Sequence, residues 1–204
     1  GAASFFAEQL IQLPSLNFFF RRASLPGFVG DATSRDALRV HAEHHAQGPV
    51  AALVAARVEG KRLVLCPQHL PKFHPNFDVV LEGILSASAN AILVLIHRPE
   101  KQMAWRRRLE ARWAASDNRT PVLGGGRQIL WLPRITSDEY LNMLALGDIM
   151  VDPVPFGGGV TSLEALSMCV PVLTAPRSQT VPGLTAGILK ALPLAKETLE
   201  MLVV

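Results

Sequence analysis

From Arg62 onward the sequence alternates between short apolar runs and longer segments in which apolar residues recur every three or four positions. This alternation is typical of repeated strand–helix units. The apolar runs predict strands at residues 62–67, 91–97, 128–133, 149–154 and 170–175. The segments between them predict helices that include residues 77–85, 105–113, 137–146 and 161–168. Because the strands are apolar almost throughout and the connections are helical, we expect the α/β class with an open, doubly wound parallel sheet.

Composition limits the class of protein further. The chain has 204 residues, of which 49% are hydrophobic and 18% charged, so it has enough apolar material for a core and is not disordered throughout. A net charge of +3 is by itself no signature of polyanion binding, and we expect no nucleic-acid partner. The most strongly apolar run, residues 91–96, is far shorter than the roughly 18–20 residues that span a bilayer. Two cysteines favour a reducing compartment. We therefore expect a soluble cytoplasmic or nuclear protein with no membrane partner.

The first sixty residues differ from the rest and define the predicted domain organisation. Residues 1–36 contain clumped apolar residues followed by a stretch rich in Gly, Ser, Pro and Asp, which indicates a linker or crossing segment. Residues 37–60 are alanine-rich and compatible with a helix, and residues 61–204 hold the strand–helix units. Residues 120–128, with three glycines before a strand, are predicted to form a loop. Because the chain starts with Gly rather than Met and ends on apolar residues, we expect an excerpt of a longer protein.

Ligands of an open parallel sheet bind beyond the carboxyl ends of its strands, and the loop after the fourth strand is unusual. It contains Gly157, Gly158 and Gly159, which let the backbone approach a ligand closely. The following helix, beginning near Thr161, points free N–H groups and its positive dipole end at the same place. This pattern favours an anion, most plausibly a phosphate.

Two polar side chains of that helix have two interpretations. Thr161 adds a hydroxyl donor for a phosphate, and Glu164 is an acceptor suited to the vicinal hydroxyls of a sugar. The same pair also fits a capping box, which would only satisfy the N–H groups of the helix itself. The loop is neither a dinucleotide fingerprint nor a Walker A loop, since GxGxxG and GK[ST] are both absent.

The loop after the first strand supplies a cation. Lys72 is a compact counter-charge for a diphosphate, and Gln68 and His69 precede it; each of the three also fits a merely solvated loop side chain. After the third strand, Thr136 and Glu139 form a second possible capping box. Tyr140 either stacks on a base or packs in the core.

Other clusters have weaker functional interpretations. Histidines at helical spacing could present two metal ligands, but no third ligand type is placed near them, and we expect no metal site; they are His41, His44 and His45. Four arginines flanked by Trp105 and Trp113 suggest a nucleic-acid patch or, more simply, a solvated helix face; they are Arg106, Arg107, Arg108 and Arg112. The motifs of serine hydrolases and dithiol redox proteins are absent.

Four blocks together carry a family resemblance. In order and spacing they resemble the C-terminal half of the catalytic region of the protein O-linked N-acetylglucosamine transferase family, which includes plant SPINDLY-type and bacterial members. The blocks lie in CPQHLPKFHPNFD, in AILVLIHRP and along the stretch at residues 129–192. The likeness covers residues 62–192, and residues 3–22 resemble the stretch that closes the family's N-terminal lobe. Residues 39–60 do not resemble the family.

The resemblance implies a GT-B fold, of which this chain holds mainly the Rossmann-like C-terminal lobe. It implies transfer of a sugar, in this family usually N-acetylglucosamine, from a UDP donor to Ser or Thr of proteins, with inversion and without a cofactor or metal. It assigns Lys72 to the diphosphate as the catalytic residue, with Gln68 or His69 beside it. The other implied donor-binding residues are Arg134 and Ile135 at the uracil, Tyr140 stacked on the base, Gly158 and Gly159 at the turn, Thr161 on the phosphate and Glu164 on the ribose.

The implied partners are a UDP-sugar, protein acceptors, an N-terminal lobe and tetratricopeptide repeats. One departure concerns the turn itself, where Gly159, Val160 and Thr161 stand in place of a histidine and two threonines found in some members. A non-catalytic module that binds a nucleotide or nucleotide-sugar fits the same strand pattern and glycine loop, and remains the alternative.

Overall fold

The computed structural model describes residues 20–115, 121–126, 128–175 and 183–203. Within them five strands form one sheet in the order β3-β2-β1-β4-β5, and every pair of neighbours is parallel. The strands are β1 Arg62–Leu65, β2 Ala91–Ile96, β3 Ile129–Leu132, β4 Ile149–Val151 and β5 Val172–Leu173. The open parallel sheet predicted from the apolar runs is confirmed.

Helices connect the strands. They are α1 Arg35–His45, α2 Ala51–Val58, α3 Pro75–Ser86, α4 Pro99–Ala115, α5 Pro121–Gly125, α6 Ser137–Leu146, α7 Val160–Ser167, α8 Leu184–Ala191 and α9 Lys196–Leu202. Among the described residues, no helix is both long enough and apolar enough to cross a bilayer.

The sheet is buried on both faces, as the nearly continuous apolar strands predicted. Alternate residues of β1 enter two separate cores: Leu63 and Leu65 pack with α1, α2 and α6, whereas Val64 packs with α3, α4 and α5. The second core includes the fully buried ring of Trp113. Residues of one short strand therefore anchor two helical layers.

The α5 helix corrects the prediction of a loop at residues 120–128. Its first N–H groups are satisfied by a buried carboxylate, since Val122 and Leu123 donate to the two oxygens of Glu82 at 2.9 and 3.0 Å. Because this cap comes from a residue forty positions earlier in the chain, no local pattern announces the helix.

The segment at residues 37–60 shares a core with the sheet. Leu38 of α1 and Leu53 of α2 are buried in the same cluster as β1. Asp148 holds these helices at the amino end of the strands: it accepts hydrogen bonds from Arg39, from Arg57 and from the Leu63 backbone N–H. Of the predicted unit at residues 1–36, residues 1–19 lie outside the described part of the chain; the linker predicted at residues 23–36 is described and runs into α1 at Arg35.

The strand order fixes where a ligand would sit. From β1 the chain adds β2 and β3 on one side and then crosses back to place β4 on the other side of β1. The connections that leave β1 and β4 therefore diverge, and a crevice opens beyond the carboxyl ends of these two strands. Lys72 follows β1 and the glycine turn follows β4, so both lie at this switch point.

Candidate functional site at the switch point

The connection between β1 and α3 contains one short helical turn, which positions the Lys72 side chain. Leu70–Lys72 form a short 3₁₀ turn with Pro71 inside it, and the Lys72 N–H donates to the His69 carbonyl at 2.9 Å. Next, His74 caps α3 by accepting a hydrogen bond from the Asn76 N–H at 3.2 Å. This turn directs the Lys72 side chain back toward β4.

The glycine turn after β4 is held by Asp152, a residue that the sequence analysis did not select. Its carboxylate is 2% exposed; one oxygen accepts from the Gly158 N–H at 2.5 Å and the other from the Thr174 hydroxyl at 2.8 Å. A second buried contact joins the hydroxyls of Ser162 and Thr185 at 2.8 Å. The turn is therefore braced from β5 and from α8.

Lys72 reaches the glycine turn. Its ammonium donates to the Gly157 carbonyl at 3.1 Å and to the Gln68 side-chain oxygen at 2.9 Å, and it lies 5.0 Å from the centre of the Phe156 ring. An ammonium has three N–H donors, so these two hydrogen bonds leave one for a ligand. The lysine and the turn are close enough to contact one diphosphate together.

Gln68 links the lysine to α7. While its oxygen accepts from Lys72, its amide nitrogen donates to the Thr161 hydroxyl oxygen at 2.6 Å. Since Thr161 is the acceptor in this contact, its own hydroxyl hydrogen remains available as a donor. Gly158 is required beneath this contact, because a Cβ there would lie 2.7 Å from Thr161 Oγ1 and 2.8 Å from Gln68 Nε2.

The capping-box interpretation of Thr161 and Glu164 is wrong. The N-cap of α7 is Gly159, which has no side-chain cap, and the helix begins at Val160, one residue earlier than predicted. The Thr161 hydroxyl is engaged with Gln68 instead. The capping box of Thr136 and Glu139, in contrast, is confirmed, with both of its hydrogen bonds formed.

Burial shifts the pKa values of this cluster. Desolvation lowers the pKa of Lys72, although the negative charge of Asp152 partly opposes the shift. The Cys66 thiol behind it is fully buried, and burial raises its pKa, so this cysteine stays neutral. A phosphate bound beside Lys72 would add a second negative charge and favour its ammonium form.

A cleft of about 410 Å³ opens beside this cluster. Of the predicted site residues, six line it: Gln68, His69, Arg134, Ile135, Tyr140 and Glu164. Lys72, Gly158, Gly159 and Thr161 are not among its lining residues; Gln68 belongs to both groups and joins them. The sequence-selected residues from three different connections thus come together at one edge of the sheet.

Tyr140 and Glu164 meet at the wall of this cleft. Burial first, and then the negative charge of the nearby Glu164, raise the pKa of Tyr140. The buried Tyr140 hydroxyl has no hydrogen-bond partner of ordinary distance and angle among the described residues. Burial also raises the pKa of the half-buried Glu164. The Glu164 carboxyl is therefore a partly desolvated hydrogen-bond acceptor in the wall of the cleft.

The clusters with weaker sequence interpretations are occupied by local contacts. His41, His44 and His45 each have a ring nitrogen at a backbone carbonyl, and in the described part of the chain no group of three or more His, Cys, Asp or Glu residues could hold a metal ion. Arg112 does not lie on a purely solvated face, because it makes two hydrogen bonds of 2.7 Å to the buried carboxylate of Asp78.

The comparisons with known proteins concern the fold. No protein-family model matches the sequence, and no curated protein matches it. An O-GlcNAc transferase mutant from Thermobaculum terrenum is similar in structure, with a TM-score of 0.56 and 23% identity over 71% of this chain and 28% of that chain. Two structures of UDP-forming α,α-trehalose-phosphate synthase from Burkholderia xenovorans follow. One has a TM-score of 0.50 at 14% identity over 80% of this chain and 44% of that chain. The other, in complex with glucose-6-phosphate, has a TM-score of 0.51 at 12% identity over 84% of this chain and 45% of that chain.

The present chain spans less than half the length of each of these proteins. At such identities the likeness shows the fold alone, a Rossmann-like parallel α/β sheet that is shared with glycosyltransferases of the GT-B fold and is consistent with the C-terminal lobe that the resemblance implied.

Proposed function

We propose that this chain binds the diphosphate of a UDP-sugar and forms the donor-binding part of a glycosyltransferase. The observation that carries the proposal is the ammonium of Lys72, 3.1 Å from the Gly157 carbonyl at the turn that begins α7. A lysine and a helix N-terminus facing one crevice offer charge and N–H donors to an anion. The cleft beside them is of a size suited to a nucleoside.

The sequence resemblance implies an inverting transfer. An acceptor hydroxyl of Ser or Thr attacks the anomeric carbon, the bond from that carbon to the β-phosphate oxygen breaks, and the electron pair stays on the departing UDP. The acceptor proton passes to a base or to solvent. Lys72 and the N–H groups of α7 stabilise the negative charge that grows on the diphosphate, and they accelerate the step only as far as they hold the leaving group better than the intact donor. No metal is required in this scheme.

The remaining cleft residues would then recognise the nucleoside. Glu164 is an acceptor for the ribose hydroxyls, and Thr161 adds a donor for the phosphates. The backbone at Arg134 and Ile135 would lie along the uracil, with Tyr140 at the base. N-acetylglucosamine as the sugar and protein hydroxyls as acceptors rest on the sequence resemblance, together with an N-terminal lobe and tetratricopeptide repeats elsewhere in the enzyme.

A titration of the chain with UDP and with UMP tests the proposal. We expect UDP to bind more tightly, because only UDP presents the second phosphate to Lys72. Lys72→Met should erase most of the difference, a loss of about 1.5–3 kcal/mol for a charge-assisted contact, which is roughly ten- to hundredfold in affinity. Lys61→Met removes the same charge just before β1, at the opposite end of the strand, and should leave the preference intact.

Equal affinities for UDP and UMP in the wild-type chain would overturn the proposed diphosphate site. The absence of any shift in melting temperature with millimolar UDP would do the same, because a ligand that binds only the folded state must stabilise it.

A second candidate is a nucleotide-binding module without catalysis, which the parallel sheet and the glycine turn before α7 fit equally well. Both candidates bind UDP. Release of UDP from UDP-N-acetylglucosamine in the presence of an acceptor peptide separates them: a transferase releases UDP once an N-terminal lobe is supplied, whereas a binding module does not.

A further inference from the structure

A relay of three hydrogen-bonding groups crosses the floor of the cleft. The backbone N–H of Arg98 donates to the side-chain oxygen of Gln102 at 3.0 Å. The side-chain nitrogen of Gln102 lies 3.1 Å from Nδ1 of His69. All three residues line the cleft, and Gln102 is 7% exposed whereas His69 is exposed.

The backbone fixes the direction of this relay. A peptide N–H is only a donor, so the group of Gln102 that faces Arg98 must be its carbonyl oxygen. The amide nitrogen then necessarily faces His69. Turning the amide over would oppose two donors at Arg98 and leave a buried N–H without an acceptor, which is costly. The orientation of the Gln102 amide thus follows from the donor and acceptor chemistry of its neighbours.

The amide nitrogen of Gln102 is in turn only a donor, so Nδ1 of His69 must accept. In a neutral imidazole one ring nitrogen accepts and the other carries the hydrogen. The hydrogen of His69 is therefore on Nε2, which leaves an exposed N–H donor at the wall of the cleft. Such a donor suits an anionic oxygen, and Gln68, the neighbouring residue, already contacts Lys72 and Thr161.

We propose that Gln102 is a positioning residue that fixes the neutral His69 ring as the Nε2–H tautomer, so that His69 presents a hydrogen-bond donor to a phosphate bound in the cleft. The phosphate part rests on the proposed function, while the tautomer part does not. Gln102 touches no ligand in this scheme and acts through His69.

Nitrogen chemical shifts of the imidazole report the tautomer directly. In the wild-type chain, labelled with ¹⁵N-histidine and measured at about pH 8.5, where imidazoles are neutral, we expect His69 to carry its hydrogen on Nε2. Gln102→Glu keeps the side-chain length but places a carboxylate oxygen at Nδ1, so the hydrogen should move to Nδ1. Gln47→Glu, an exposed position outside the cleft, makes the same chemical change and should leave the His69 tautomer unaltered.

A wild-type ring with its hydrogen on Nδ1 would overturn the proposal. So would a Gln102→Glu chain whose His69 shifts match those of the wild type. Circular dichroism and melting temperature establish that each variant is folded before its spectrum is compared.

Affinity for UDP tests whether the donor is used. His69→Ala should weaken UDP binding about two- to tenfold, the value of one hydrogen bond. Gln102→Met, which adds no charge, should weaken UDP binding by no more than His69→Ala does. In the His69→Ala background it should have no further effect, since Gln102 acts through His69. The same loss in both backgrounds would contradict a positioning role. If neither the wild-type chain nor any variant binds UDP, the proposed function fails, even where the tautomer result stands.

Discussion

Gly158→Ala is the perturbation whose effect follows most directly from the atomic arrangement. The added Cβ would lie 2.7 Å from Thr161 Oγ1, 2.8 Å from Gln68 Nε2 and 3.1 Å from Ser162 Oγ. Carbon does not approach such atoms closer than about 3.0 Å, so the side chains above the turn must move. The 2.6 Å contact between Gln68 and Thr161 is the first to be lost.

The size of the effect is set by two terms. Overpacking a buried position by one methyl group costs about 1–3 kcal/mol, and the displaced hydrogen bond contributes about 0.5–1.5 kcal/mol of that amount. We therefore expect the free energy of unfolding to fall by about 1–3 kcal/mol. Because Gln68 also accepts from Lys72, its displacement releases the ammonium from one of its two contacts, and UDP affinity should fall at least about tenfold.

Urea unfolding and calorimetric titration with UDP measure the two quantities on the same samples. Gly83→Ala is the matched control: Gly83 lies inside α3, and a Cβ there would meet nothing within 4 Å. Alanine in a helix interior should raise the stability by about 0.5–1 kcal/mol without altering UDP affinity. A Gly158→Ala chain with wild-type stability and wild-type UDP affinity would refute the assignment of the glycine to this contact.

Asp148→Asn should lower the free energy of unfolding by about 3–5 kcal/mol in urea titrations, because the arginines around it lose their counter-charge, whereas Asn at the exposed Asp138 should cost at most about 1 kcal/mol. Thr136→Ala removes the capping box and should cost about 0.5–2 kcal/mol by the same assay. Burial raises the pKa of Glu164, so stability is lost as pH rises through the folded-state pKa; Glu164→Gln should melt above the wild type at pH 7, with the gap closing toward about pH 4. Burial lowers the pKa of Lys72, so UDP affinity should decline with rising pH earlier than an ordinary lysine would allow, and Lys72→Met should abolish this decline.

The sheet could be predicted from the sequence because each strand carries its own signal. Apolar runs between helical segments are local patterns, and all five predicted runs contain a strand. The observed strands are shorter, however. β4 ends at Val151: the Asp152 N–H still donates to the Leu173 carbonyl, and Pro153 has no N–H to continue the ladder. β5 has only two residues, Val172–Leu173. Strand ends depend on such tertiary contacts, which a local pattern does not contain.

The site was predictable to the extent that its residues occupy the carboxyl ends of strands. Gln68 and Lys72 were selected from the connection after β1 and Thr161 from the one after β4, and the structure brings the three into one chain of hydrogen bonds. Asp152 and Gln102 were missed, since each has a side-chain hydrogen-bond partner far away in the sequence, Thr174 for Asp152 and His69 for Gln102. A polar residue directly after an apolar strand, as in the DP pair after β4, is the signal that would have found Asp152.

The structure of the chain with UDP bound tests the central claim most directly. The account predicts the β-phosphate within hydrogen-bond reach, about 3 Å, of Lys72 Nζ and at the first N–H groups of α7, with the uridine in the cleft lined by Glu164. A diphosphate found away from both the lysine and the glycine turn would contradict it.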